Sequence, residues 1–288
     1  MTTLVAPRRW ARATGRERLA SVGYHAMMVA IVFAYVFPAL WAVSMSFRTD
    51  ANMFAADQLI PHPLTLVHYQ RLFAALPDFG RYFGNTALIA VTGTVGTLLS
   101  SSLAGYALAR FRFPGQSALL IALLLTIMVP AQATLIPQYV FFRDLNWLNT
   151  PLPIIVPMLF GTPFASFFFR QFFLTLPGEL EQAAAMDGAG PWRTYFRIIA
   201  PLAGPAYLAL GLLTFVSLWN SYFVNTIYLE RQDGWVQTQA LQSLIGQYQA
   251  DYGSIMAGVT LASLPILVAY LFTQRWIARG ISMTGIAN

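Results

Sequence analysis

Six long apolar runs, separated by short polar segments, dominate the pattern of hydrophobic and polar positions along the chain. A helix needs about 20 apolar residues to cross the roughly 30 Å hydrocarbon core of a bilayer, and each run meets that length. The pattern therefore predicts an all-α integral membrane protein, with tails at 1–21 and 278–288 around a six-helix domain at 22–277. The predicted spans are 22–46, 83–107, 118–142, 152–173, 204–228 and 255–277.

Composition agrees with a membrane protein and removes several kinds of chemistry. Hydrophobic residues make up 57% of the chain and charged residues 10%, whereas soluble domains carry about 25% charge. The sequence contains no lysine and no cysteine, so it cannot form a P-loop of the G-x-x-x-x-G-K-[ST] type, a disulfide or a thiolate site. His25, His62 and His68 lack metal-site spacing, and a surface or membrane-interface position is predicted for each.

The distribution of arginine predicts which side of the membrane each loop faces, because cytoplasmic loops carry an excess of positive charge. Twelve of the 17 arginines lie in the N-terminal tail, 108–117, 170–203 and the end of the chain; the other five lie in 47–82, 143–151 and 229–254. Both termini are therefore predicted to be cytoplasmic, with 47–82 and 229–254 as external loops. The first run is too long for the apolar region of a signal peptide, which predicts a retained anchor.

The predicted spans contain no aspartate, glutamate, lysine or arginine away from their ends. Such groups usually mark proton relays, ion sites or voltage sensors, so an ion-driven carrier and a membrane-embedded acid–base enzyme are disfavoured. Span two instead places Gly96, Ser100 and Ala104 on one helix face, which predicts a seam of close helix packing. Pro130 and Pro137 interrupt the helical hydrogen bonds of span three. This predicts either a purely structural kink or a helix that lies beside a translocation path.

Between spans four and five lies a polar segment, LPGELEQAAAMDGAGPWRTYFRIIAPLAGP (176–205), that predicts a helical hairpin over 177–201. Pro177 can begin the first helix, and Glu179 and Glu181 suit the positive end of its dipole. Asp187 and Gly188 supply the stop, since glycine tolerates the left-handed conformation that commonly ends helices.

The second helix of the hairpin begins at Gly190 and Pro191. On it Trp192, Phe196 and Ile199 recur at helical spacing and predict one apolar stripe, which needs a surface to bury it. That surface is either the membrane, with the helix lying in the interface, or another protein.

The hairpin resembles the cytoplasmic loop of permease subunits in ATP-binding-cassette (ABC) importers, whose signature is roughly E-A-A-x₃-G-x₉-I-x-L-P. The matching residues stand at the signature's spacing, with Gln182 in place of the glutamate and Ala200 in place of the leucine. The segments 85–116, 128–150 and 274–288 also resemble maltose-type (MalG-like) carbohydrate permeases. The likeness covers nearly the whole chain from about residue 20.

That resemblance implies the type I ABC importer permease fold in a multi-pass protein of the bacterial inner membrane. It implies as partners a second homologous permease in a heterodimer, two ATP-binding subunits that bind ATP and Mg²⁺, an external substrate-binding protein and membrane lipid. No cofactor of this chain itself and no nucleic acid is implied. The ATPase-coupling residues carried over, within a loop at 174–203, are Glu181, Gln182, Ala183, Ala184, Asp187, Gly188, Ile198 and Pro201.

Candidates for contact with substrate lie in span five and are Trp219, Asn220, Tyr222 and Asn225. Proteins commonly bind sugars through the faces of aromatic rings and through hydrogen bonds from amide and hydroxyl groups. Trp219 and Tyr222 also fit the alternative that they belong to the belt of aromatic residues at the membrane–water interface. Asn220 is the stronger candidate, because an amide in hydrocarbon needs a partner. A neutral sugar is favoured over a glycerol-phosphate compound, since no arginine lies within the spans. An ATP-independent channel or carrier stays open as an alternative.

Overall fold

The computed structural model describes residues 15–54, 59–245 and 251–284, and these residues form helices and connecting loops without a strand. The outermost parts of the two predicted tails, 1–14 and 285–288, lie outside the described residues, as do 55–58 and 246–250 of the two predicted external loops. The helices are α1 (Gly15–Ser46), α2 (Val67–Ala75), α3 (Phe79–Arg110), α4 (Gln116–Met128), α5 (Ala131–Asp144), α6 (Leu152–Leu159), α7 (Pro163–Thr175), α8 (Glu179–Met186), α9 (Pro191–Leu202), α10 (Gly204–Trp219), α11 (Phe223–Tyr228), α12 (Gln237–Ser243) and α13 (Tyr252–Thr284).

Four helical segments in the described part of the chain are long and apolar enough to cross a membrane unaided. They are α1 from Ser21, α3, the α6–α7 segment and α13 up to Gln274. Two sharply bent pairs, α4 with α5 and α9 with α10, raise the number to six if each pair is one span. Each of the six predicted runs therefore contains helix, although in the second bent pair only α10 lies in a predicted run and α9 lies in the predicted hairpin.

The bends explain where predicted spans and observed helices differ. α4 ends at Met128 and α5 begins at Ala131, and their axes meet at 97°. Pro130 lies at this break. Proline has no backbone N–H to continue the helical hydrogen bonds, so the helix is interrupted there. The interruption of span three predicted at Pro130 is therefore confirmed, whereas Pro137 lies within α5 without ending it. Span five also divides, since α10 ends at Trp219 and α11 is separate.

α3 is the central helix of the bundle and packs against α6, α7, α10 and α12. Gly96 faces Leu159, whose carbonyl accepts a hydrogen bond from Ser100, so both belong to the packing seam predicted for this helix. Ala104 was wrongly placed there, because its side is exposed and α7 instead approaches the neighbouring Gly105. Only a residue without a side chain allows so close an approach of two helices.

Polar contacts, both between separate segments and within one segment, stabilise the end of the bundle away from 177–201, here called the opposite end. Arg71 on α2 donates two hydrogen bonds, of 2.9 and 2.7 Å, to the carboxylate of Asp50, and this keeps the pKa of Asp50 below its usual range. Burial raises the pKa of Asp251, but hydrogen bonds from the hydroxyl and the amide of Ser254 outweigh burial and leave that pKa lowered.

His68 lies beneath this network and is completely buried, so its predicted surface position was wrong, whereas His25 and His62 are exposed. The ring packs against the backbone at Gly253, where a Cβ would collide with it. Glycine at 253 thus lets α2 and the start of α13 enclose an imidazole. Ser254 also donates to the carbonyl oxygen of His68 across 3.3 Å.

The close approach at Gly105 gives the first testable prediction. A Cβ there would lie 2.7 Å from the Cβ of Phe169, 2.8 Å from the amide nitrogen of Arg170 and 2.9 Å from the carbonyl oxygen of Ser166. Two of these atoms are backbone and cannot move aside, so Gly105→Ala should destabilise the protein by about 1–3 kcal/mol. The measurement is the apparent melting temperature of the purified protein in detergent.

Gly84→Ala is the matched control on the same helix, because a Cβ at that position meets no atom within 4 Å. Alanine is the better helix former by about 0.5–1 kcal/mol, so the control should melt at the same or a higher temperature. Equal melting temperatures for Gly105→Ala and the unchanged protein would contradict the packing described for α3 and α7.

Candidate coupling site

The first helix of the hairpin is α8, and its end follows from the sequence around Gly188. Gly188 has a φ of +74°, in the left-handed region. Its amide donates to the carbonyl of Ala185 at 3.0 Å, and the amide of Ala189 donates to the carbonyl of Ala184 at 2.9 Å. These two bonds form a Schellman motif, which satisfies carbonyls left free at a helix C-terminus. The stop predicted at Asp187 and Gly188 therefore forms as expected.

The second helix, α9, contains a π-helical turn at Tyr195–Ile199. Ile199 is fully buried, whereas Trp192 is 67% and Phe196 59% exposed. The predicted single stripe of these three residues was wrong, because the wider turn changes which side of the helix each later residue occupies. Trp192 and Phe196 stack on each other outside the core, with ring centroids 6.2 Å apart.

Tyr195, within the π-helical turn, fastens α9 to the bundle. Its hydroxyl lies 2.6 Å from that of Ser102 on α3 and 2.8 Å from that of Tyr207 on α10. The ring belongs to a buried cluster with Phe169 and Phe173 of α7. This contact holds the inner side of α9 and leaves the outer side free.

Glu181 fastens α8 to the end of α3. Its carboxylate accepts a 3.0 Å hydrogen bond from Nε of Arg110, and Nη2 of the same arginine donates to the carbonyl of Leu176 across 2.8 Å. The two side chains are only 14% and 22% exposed. Glu181 is therefore engaged in a contact within the chain. Sequence reasoning missed Arg110, although a basic residue in the last turn of a helix is a recognised signal.

The residues carried over from the ABC-importer signature occupy different environments. Exposed members are Gln182, Ala183, Asp187, Gly188 and Pro201. Ala184 is buried, and Ile198 is half-buried against the cluster around Tyr195. Only the exposed members are accessible to another protein.

Both helices of the hairpin also expose apolar side chains, which are here together called the hairpin patch. It consists of Ala183, Met186, Trp192 and Phe196, and Met186 is 89% exposed. Exposed apolar residues that cluster, rather than occur singly, mark interaction sites. Met186 was not singled out from the sequence, and its place directly before the Asp187–Gly188 stop was the available signal.

The candidates for substrate contact in span five also separate by burial. Trp219 is 2% exposed, donates from Nε1 to the carbonyl of Ala262 at 2.9 Å and packs against aromatic rings of the core. Asn225 is buried as well and donates to the carbonyl of Ser221 at 2.7 Å. Both are core residues in this structure. Asn220 and Tyr222 are exposed, and only they are open to a solute.

Tyr222 borders a cavity of about 230 Å³ at the opposite end, together with Trp235, Glu230 and Gln242. Trp235 and Gln242 lie in the 229–254 loop and were not among the residues expected to touch substrate. Within the described residues, no group of three or more histidines or acids is arranged to hold a metal ion.

Comparison with known proteins relates this arrangement to a transport family. The family model described as "Binding-protein-dependent transport system inner membrane component" matches residues 96–283. The diacetylchitobiose uptake system permease NgcG of Streptomyces coelicolor is 29% identical over 275 residues, which cover 94% of this chain and 90% of the relative. The lactose transport system permease LacG of Rhizobium radiobacter is 33% identical over 267 residues, covering 93% and 97%.

A third relative, the sn-glycerol-3-phosphate transport system permease UgpE of Yersinia pestis, is 31% identical over 265 residues, covering 89% of this chain and 94% of its own. A bacterial ABC transporter involved in the import of the acidic polysaccharide alginate has a chain of the same fold, with a TM-score of 0.79 at 22% identity and coverage of 92% and 99%. Because the family model matches well over half of the sequence, the chain belongs to the inner membrane components of binding-protein-dependent transport systems.

Proposed function

We propose that this chain is one permease subunit of a carbohydrate ABC importer and that the hairpin is its coupling element. The observation that carries the proposal is the hairpin itself, which is fastened to the bundle on one side and presents the hairpin patch on the other. A surface of this kind can receive force from a partner and pass it to the helices. In the proposed orientation the hairpin faces the cytoplasm, where a separate ATPase supplies the energy.

The complete assembly would contain a second permease, two ATP-binding subunits and an external binding protein. The bent pair α4 and α5 would offer a surface to the second permease or to lipid, because the apolar side chains of both helices are largely exposed. Ile136 is 76% and Met128 78% exposed. The ATP-binding subunits would bind ATP and Mg²⁺ and carry out hydrolysis, because this chain lacks a P-loop lysine.

The proposed substrate class is a neutral sugar or oligosaccharide. Two of the relatives described above are named for sugars, and the spans contain no arginine away from their ends to meet a phosphate. Asn220 and Tyr222 are the residues of this chain proposed to contact the solute, since their amide and phenol suit a hydroxylated ligand. Trp219 and Asn225 would support them from the core.

The hairpin patch gives the second testable prediction. Ala183→Arg and Trp192→Ala should each lower the amount of ATPase subunit that copurifies with the tagged permease by on the order of ten-fold, because a large aromatic anchor and its close surroundings dominate interface energies. Mass spectrometry of the detergent-extracted complex measures the ratio of ATPase to permease. Ala183 is exposed, so the arginine does not enter the core as it would at Ala184.

Ala75→Arg is the control, because it makes the same substitution at an exposed position of the opposite end. This variant should retain the ATPase subunit at the level of the unchanged protein. If the unchanged permease purified alone and still passed solute in liposomes, an ATP-independent channel or carrier would replace the importer proposal.

The Arg110–Glu181 contact gives the third testable prediction. Arg110→Glu places two carboxylates in a partly buried site and removes the donor to the carbonyl of Leu176, so α8 should lose its fixed position. We expect the ATPase activity of the purified complex in nanodiscs to fall about ten-fold. The charge-exchanged double variant Arg110→Glu/Glu181→Arg should recover part of it.

Arg231→Glu serves as the comparison, since Arg231 pairs with Asp233 in an exposed site at the opposite end. Exposed pairs contribute at most about 1 kcal/mol, so this variant should keep its ATPase activity. Full activity in Arg110→Glu would show that the hairpin does not need this contact.

A further inference from the structure

A second feature of the hairpin end is a basic cavity of about 760 Å³ beside α8, distinct from the hairpin patch. It lies between the last residues of α3, the loop that follows them, α7 and α8. Three arginines, Arg110, Arg112 and Arg170, line it with one carboxylate, that of Glu181. The cavity therefore carries a net positive charge.

The three arginines differ in how their donors are used. Arg110 is occupied by Glu181 and by the carbonyl of Leu176. Arg170 donates from Nε to the carbonyl of Leu108 at 3.2 Å, and its two terminal amino groups have no acceptor in the part of the chain that the structure describes. Arg112 is exposed and makes no hydrogen bond or ion pair with the described residues. Two guanidinium groups thus offer unused donors to one cavity.

The position of Arg170 is fixed by the end of α3. The carbonyl of Leu108 lies in the last turn of that helix and also accepts a 2.9 Å hydrogen bond from Nε2 of Gln116. Carbonyls at a helix C-terminus lack partners within the helix, so donors from neighbouring segments are held there. The planar guanidinium group is consequently oriented before any ligand arrives, which suits bidentate binding of phosphate.

The surroundings of the cavity fit an amphiphilic ligand. Phe111 and Phe113, on both sides of Arg112, are 42% and 39% exposed, and aromatic side chains are enriched where a membrane meets water. α4 begins directly after this loop and exposes Leu119 and Ile121. A charged site thus opens beside an apolar helix surface, as a phospholipid with its headgroup and acyl chains requires.

We propose that this cavity binds the phosphate of an anionic phospholipid headgroup through Arg112 and Arg170. Basic pockets at the cytoplasmic side of transmembrane helices bind such headgroups, and assignment to the inner leaflet rests on the orientation under the proposed function. Glu181, Gln182 and Ala185 of α8 line the cavity, and none of the residues of the hairpin patch does. Ala183 lies on another side of α8, whereas Met186 is next to the cavity face because it follows Gln182 by four residues. The proposed lipid would therefore contact α8 beside the hairpin patch and leave Ala183 uncovered.

The test measures bound phosphatidylglycerol on the complex purified through this chain and reconstituted with either phosphatidylglycerol or phosphatidylcholine. Native mass spectrometry should find phosphatidylglycerol retained on the unchanged protein. Arg112→Gln and Arg170→Gln each remove one positive charge, and each variant should retain about five-fold less phosphatidylglycerol. The double variant should retain less than either single variant. Arg193→Gln is the matched control, because it removes an exposed arginine of the same hairpin that does not line the cavity.

Equal phosphatidylglycerol retention in the double variant, or an equal loss in Arg193→Gln, would overturn the proposal. Millimolar inorganic phosphate that displaces the lipid completely would assign the site to free phosphate instead. Arg170 also contacts the end of α3, so Arg170→Gln can be compared only if it leaves the melting temperature unchanged. If it lowers the melting temperature, phosphatidylglycerol retention in Arg112→Gln alone tests the lipid site. The same spectra also show whether the ATPase subunit is bound. Absence of the ATPase subunit from the unchanged complex would count against the proposed function. If the ATPase subunit is present and the double variant retains as much phosphatidylglycerol as the unchanged protein, the result counts only against the lipid site.

Discussion

The close approach of α3 and α7 at Gly105 is the constraint on which the position of the hairpin depends. α7 leads into α8 through only three residues, so wherever α7 is held, α8 must follow. The contact brings Arg110, five residues further along α3, within reach of the start of α8. It also aligns Ser102 with the hydroxyl of Tyr195 on α9. The absence of a side chain at position 105 therefore determines the positions of both helices of the hairpin.

The protein has few charged residues, and its ion pairs are of two kinds. Some pairs form between neighbours in sequence, and others connect separate segments. Among the described residues, Arg81–Asp78, Arg143–Asp144 and Arg231–Asp233 pair within three positions in sequence and are exposed. Pairs of that kind contribute little to stability. Arg110–Glu181 is instead partly buried and joins segments 71 positions apart. The hairpin is thus fastened by a contact of a different type from those exposed pairs.

Features set by neighbouring residues were predictable from the sequence, and features set by distant contacts were not. The apolar runs follow from bilayer thickness, and the end of α8 follows from one glycine, so both were predicted close to their observed positions. The π-helical turn in α9 was missed, because it depends on a partner for Tyr195 far away in the sequence. His68 was misplaced for the same reason, since the glycine that makes room for it lies on α13. Burial of Trp219 and Asn225 likewise follows from packing between separate helices.

The unbroken course of α3 has a mechanical consequence. Near its start, Nδ2 of Asn85 donates to the carbonyl of Trp235 at 2.9 Å, and near its end Arg110 holds Glu181. These two attachment points are 25 positions apart on one helix without proline, and at 1.5 Å per residue they are about 38 Å apart. α3 therefore connects the hairpin to the loop that carries Trp235 through one continuous helix, so a movement of α8 that shifts Arg110 has a direct route to the opposite end.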